Sequence, residues 1–240
     1  MNTRSLLDQL LTSGKDLLQN QGSSPSTQRA GSGSGSGIES ALGGLLGSVG
    51  GGALGGGAIS LLMGSKKTRK MGGKVITYGG LAALGLVAYK AYSNWQSQKE
   101  VQTGMAQPDG PLRTVDRVPP AEIEQHSQAI LRAIIGAAKA DGHIDDRERE
   151  MIDGEINKLT PDPELKRWFD QELRKPLDPS DVARSAQTPE IAAEMYVASI
   201  LMVDDQNFME RTYLDELARQ LKLDPELKSE LETQAAENLQ

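Results

Sequence analysis

Hydrophobic and polar positions divide this chain into two unlike parts. From residue 121 onward apolar residues recur at helical spacing, and no run alternates with the period of two that a strand requires. Ile123, Ile130, Ile134 and Ile135 share one face of a first helix, and Ala133, Ala137 and Ala138 are small enough to let a neighbour close in. Asp141-Gly142 ends that helix. Met151, Ile152, Ile156 and Leu159 mark a second helix, starting near Asp145. Later starts are announced by an acid or hydroxyl followed by proline: Asp162-Pro163, Asp178-Pro179, Thr188-Pro189 and Asp224-Pro225. The first residue accepts a free first-turn amide, and proline at the next position forfeits no hydrogen bond. Residues 121–240 are therefore expected to form a compact all-α bundle of about seven short helices, with Trp168 and Phe169 in its core.

The part before residue 121 follows another logic. Leu6, Leu7, Leu10, Leu11, Leu17 and Leu18 give residues 1–21 an amphipathic helical stripe, suited to a membrane surface or a partner helix. Residues 22–37 are a Gly/Ser linker. Residues 38–63 are apolar and rich in glycine, with Gly43, Gly47, Gly51 and Gly55 at the four-residue spacing that brings helices together in lipid. A second apolar run occupies residues 75–92, at the short limit for a span. Tyr89, Tyr92 and Trp95 stand at its end like an interfacial belt, and Lys90 is placed to snorkel. Five basic residues lie between the runs: Lys66, Lys67, Arg69, Lys70 and Lys74. Residues 38–95 thus read as a membrane hairpin or single span with a basic loop at 66–74. A proline-containing tether, residues 96–120, leads to the helical domain.

Charge sharpens this division. Residues 1–103 hold ten Lys/Arg against four Asp/Glu, whereas residues 104–240 hold sixteen against twenty-nine, a net −13. A basic part beside anionic lipid and an acidic part in water are implied. An acidic domain lacks the basic face that nucleic acid demands. The chain has no cysteine, which removes disulfides and thiolate chemistry. No phosphate loop, zinc motif or Ser-His-Asp arrangement is present.

The candidate chemistry lies in two acidic turns. Asp141, Asp145 and Glu148 form the first; Asp204, Asp205 and Glu210 follow from a weak internal repeat that pairs Glu148 with Glu210, Ile152 with Leu214 and Asp162-Pro163-Glu164-Leu165 with Asp224-Pro225-Glu226-Leu227. Asp141-Gly142-His143-Ile144 with Glu148 matches the second half of a calcium loop. The first half fails, because the earlier ligand positions would be Ala137 and Lys139. An independent EF-hand is excluded. Two readings stay open: the acids only cap helices and meet their dipoles, or beyond capping the two turns pool ligands for Ca²⁺ or Mg²⁺ or meet a basic partner. His126, among Glu122, Glu124 and Gln125, reads as a surface residue.

The run Ala137-Ala138-Lys139-Ala140-Asp141-Gly142-His143-Ile144-Asp145 with Glu148, then Pro176-Leu177-Asp178-Pro179, then Phe208-Met209-Glu210-Arg211-Thr212-Tyr213-Leu214, resembles the bacterial family of unknown function typified by the inner-membrane protein YebE. That family in turn is similar to the TerB-like, tellurite-resistance helical fold. The resemblance implies an all-α, intracellular domain, acidic residues proposed to hold a divalent metal, and a role in membrane-linked stress assemblies. By it the metal candidates are Asp141, Asp145 and Glu148, with Asp204, Asp205 and Glu210 through the repeat, although the second turn has Gln206 and Asn207 where the first has Gly and Ile.

The expectation is a membrane-anchored, non-enzymatic interaction module with no catalytic residues. It sits in the bacterial inner membrane with the acidic domain on the cytoplasmic side. Its partners are lipid through residues 38–95, a protein docking on the acidic domain, and further copies through the glycine-rich helices. Two alternatives are a metal-dependent hydrolase using the paired turns and a purely structural membrane protein.

Overall fold

The computed structural model describes residues 3–8, 80–103, 112–140, 146–203 and 208–239, and every regular element among them is a helix. A helical segment at residues 3–8 is followed by α1 (Gly80–Thr103), α2 (Pro120–Ala138), α3 (Asp146–Leu159), α4 (Pro163–Arg174), α5 (Pro179–Ala183), α6 (Pro189–Met202), α7 (Phe208–Gln220) and α8 (Pro225–Leu239). Seven of these lie beyond residue 119, as the periodicity predicts.

The starts read from sequence are formed by the side chains named. Asp162 accepts from the amides of Glu164 and Leu165, Asp178 from that of Ser180, Thr188 from that of Ile191 and Asp224 from that of Glu226. Each supplies a partner to amides that the helix itself leaves open.

α6 is the axis of the core. Every residue from Ile191 to Ser199 is buried, as are Leu201 and Met202. A helix apolar all round must be enclosed, and α6 is packed by α1, α2, α7 and α8. Phe169 and Trp168 of α4 are core residues, 0% and 7% exposed. At the end of α2, Lys139 reaches across to donate to the carbonyls of Glu172 and Lys175, capping the C-terminus of α4. Burial pushes the Lys139 amine below its ordinary value, against the opposing pull of Glu172.

α7 closes in a left-handed turn. The Leu223 amide donates to the Ala218 carbonyl and the Lys222 amide to that of Arg219, with Lys222 at φ 56°. Glycine ordinarily takes that position; here a lysine does.

The second apolar run behaves differently from the expected span. It contributes α1, whose Leu81, Leu84, Ala88 and Ala91 recur at helical spacing and are buried against α6 and α8. Gly85 permits this: a Cβ there would stand 2.6 Å from Asp116 Oδ1 and 2.9 Å from Val115 Cγ1. No helix among the described residues is long and apolar enough to cross a membrane. Tyr92 and Trp95, expected as an interfacial belt, pack against the protein core, and Arg117 lies 3.5 Å above the ring of Tyr89. A protein interior and a bilayer select the same apolar residues, so composition alone does not separate the two. The glycine-rich run at 38–63, the basic loop at 66–74 and the linker at 22–37 lie outside the described residues.

A candidate binding groove and the expected acidic turns

Three pieces of chain frame a groove of about 800 Å³. α1 supplies Tyr92, Trp95 and Lys99. The α5 end and its link to α6 supply Ala183, Arg184, Ala186 and Gln187. The turn between α7 and α8 supplies Leu221, Lys222, Leu223 and Asp224. Its size falls in the range of ligand clefts.

One carboxylate organises its floor. Asp224 caps α8 through the Glu226 amide, and its two oxygens also face α1. Lys99 Nζ lies 2.5 Å from Oδ2, and Trp95 Nε1 donates to Oδ1 at 3.3 Å. The Lys99 hydrogen bond, aided by Glu226 and Trp95, holds the Asp224 carboxyl below its ordinary range. Lys99 also stands 4.8 Å over the Trp95 ring, and Tyr92 meets that ring edge-on at 5.2 Å. Burial, with the charge of Glu190, raises the Tyr92 hydroxyl.

Three cations, Lys99, Arg184 and Lys222, line the groove with a single carboxylate among the described residues, Asp224, to which Lys99 is paired, on a domain that is acidic as a whole. Arg184 pairs with Asp181 at 2.9 Å. The groove offers aromatic surface, amides and cationic side chains, of which Lys99 and Arg184 already carry carboxylate partners. Asp224, engaged by three donors and made more acidic by them, is a weak proton acceptor.

A second polar constellation is enclosed. His126 Nδ1 on α2 lies 2.6 Å from Glu194 Oε2 on α6, and the Val115 amide donates to Glu194 Oε1 at 2.5 Å. His126 is 3% exposed and Glu194 is 0%. Burial raises the Glu194 carboxyl, opposed by the bond and charge of His126 and by the Val115 amide. The pair joins two helices and has no opening to a ligand. His126 was expected at the surface. Its register was the available signal: it stands three residues after Ile123 and four before Ile130, on the apolar face. Glu194 carries the complementary signal, a lone acid inside an otherwise apolar helix, which demands a partner.

Of the six metal candidates, Asp141, Asp145, Asp204 and Asp205 lie outside the described residues, and Glu148 is placed by its backbone alone. Glu210 is 0% exposed in the first turn of α7, the position from which an acid serves a helix N-terminus. No group of three or more His, Cys, Asp or Glu side chains suited to a metal ion occurs among the described residues. The residues that sequence reasoning missed are Lys99, Arg184 and Lys222, distant in the chain and ordinary in their local settings.

A family model described as "Protein of unknown function (DUF533)" matches residues 48–235. The chain is 35% identical over 120 residues to a Yersinia enterocolitica protein described as "Uncharacterized protein in ampR 5'region", a match covering 50% of this chain and 86% of that protein. No solved structure matches the chain.

Proposed function

The chain belongs to the DUF533 family of proteins of unknown function, and from that premise we propose that it is a membrane-associated, non-enzymatic binding module. Its helical domain receives a peptide segment in the groove between α1, the α5–α6 link and the α7–α8 turn. The observation that carries this reading is the lining: aromatic surface from Tyr92 and Trp95 beside Lys99, Arg184 and Lys222, on a domain whose remaining charge is negative. That contrast selects a segment carrying a carboxylate next to an apolar side chain. Membrane association is supported by the glycine-rich apolar stretch at 38–63 and the basic residues that follow it. The family match spans the latter part of that stretch and the domain together, which favours one working unit.

The test is site-specific photo-crosslinking in the full chain. A photoreactive residue at Gln187, exposed on the groove, is expected to capture one discrete peptide-containing partner, and one at Thr233, outside the groove, none. Arg184→Glu with Lys222→Glu is expected to abolish the Gln187 product while leaving the helical circular dichroism unchanged. Equal crosslinking from both positions would sink the proposal.

A further inference from the structure

Residues 3–8 return to the domain from the far end of the chain. The Thr3 amide donates to Glu124 Oε1 at 2.8 Å, and the Arg4 amide to Oε2 at 3.4 Å. The Thr3 hydroxyl donates to the Glu124 carbonyl at 3.3 Å. The first amides of a helical segment have no partner within it, so a single α2 carboxylate covers two of them. The side chains then lock the position. Leu6 and Leu7 are 1% and 0% exposed, in the same apolar cluster as Leu81 and Leu84 of α1 and Ile130 of α2. Arg4 and Ser5 face outward. The stripe that reads as a membrane or partner face is, over these residues, covered by the chain's own domain.

We infer that residues 3–8 and the helical domain form one folded unit that stays on one side of any membrane. Two observations converge. The segment before residue 9 is packed into the core, and the chain after residue 79 begins with α1, whose Leu81, Leu84, Ala88 and Ala91 are buried in that same core. α1, packed on α6 and α8, is not long and apolar enough to serve as a span. Any crossing made through the apolar stretch at 38–63 would need a return crossing before Gly80. The residues available for it include Lys66, Lys67, Arg69, Lys70 and Lys74, and each such charge at a bilayer centre costs about 3 kcal/mol. Charge therefore disfavours such a return crossing. The topological half of this inference rests on the membrane association proposed above; the docking of residues 3–8 does not.

The absence of cysteine makes the test direct. Single thiols are placed in the full chain by Ser5→Cys and, separately, by Thr233→Cys, both at exposed positions. A membrane-impermeant maleimide is applied to intact cells and again after permeabilisation. Both thiols are expected to react under the same condition; labelling from opposite sides overturns the inference. In parallel, hydrogen exchange is followed in the purified full chain. The amides of residues 6–8 are expected to be protected and to exchange at least a hundredfold faster in Leu7→Asp. Glu124→Ala, the milder variant, is expected to accelerate the amides of Thr3 and Arg4 while those of α6 keep their protection. Free exchange at residues 3–8 in the unaltered chain overturns the docking whatever the fractionation. Protection in a chain absent from the membrane fraction removes the membrane reading and leaves the docking intact.

Discussion

His126 and Glu194 meet through a 2.6 Å contact between α2 and α6, both closed off from water. Glu194 also accepts the Val115 amide, so one carboxylate ties the turn before α2, α2 itself and the central helix. Removing one partner of such a pair leaves the other buried without its hydrogen bond, at about 1–3 kcal/mol. Glu194→Ala is therefore expected to lower the unfolding free energy in urea by that amount. His126→Phe combined with Glu194→Leu should lose less than the sum of the single changes. Additivity in that double-mutant cycle would show that the two residues act separately.

The domain boundary is the second prediction. Sequence places it at residue 121, whereas α1 covers α6 and α8 with Leu81, Leu84, Ala88 and Ala91. A fragment of residues 80–240 is expected to unfold cooperatively, and one of residues 121–240 to expose apolar surface, bind a hydrophobic dye and aggregate. Gly85→Leu should weaken the longer fragment, since the added side chain meets Asp116 and Val115. Equal stability of the two fragments would show that α1 is dispensable.

The contrast between what could and could not be read in advance has a physical basis. Asp162, Asp178, Thr188 and Asp224 cap helices that begin within the next residue, and such local chemistry is written in the sequence. The fate of an apolar stripe depends on what covers it. Leu81 and Leu84 would suit lipid as well as they suit α6 and α8. His126 was obscured by three polar neighbours although its register was apolar. The groove joins Lys99, Arg184 and Lys222 only after α1, α5 and the α7–α8 turn have come together, and no spacing announces that. The two acidic turns, the most suggestive feature of the sequence, lie mainly outside the described residues.

Gly136 and Tyr213 give a third expectation. A Cβ at residue 136 would run into the Tyr213 hydroxyl and stand 3.1 Å from Val182 Cγ2. That hydroxyl is buried without a hydrogen-bond partner among the described residues. Gly136→Ala should destabilise by about 1–3 kcal/mol through overpacking. Tyr213→Phe should be neutral or stabilise by about 1 kcal/mol, because it removes an unpaired buried polar group. Thermal unfolding of the two single variants and the double variant checks both, with the double variant expected to recover most of the loss.

Acid should loosen the floor of the groove. The carboxyl of Asp224 is held below its ordinary value of 3.8 chiefly by Lys99. A lowered acid stabilises the fold above the unfolded value and loses that contribution as pH falls through the folded one. In a Trp168→Phe background, Trp95 emission is therefore expected to change with a midpoint below 3.8. The transition should vanish in Asp224→Asn, which keeps an acceptor for the helix and for the indole but gives up the charge. A midpoint above 3.8 would contradict the assignment.

Lys222 sits where the backbone favours glycine, at φ 56°, on the rim of the groove. A left-handed residue with a side chain costs about 1 kcal/mol relative to glycine. Lys222→Gly relieves that strain and deletes one of the groove's three cations in the same step. Thermal robustness and ligand affinity thus pull against each other at a single residue. A variant that melts later and binds more weakly would mark position 222 as a trade-off between durability and recognition.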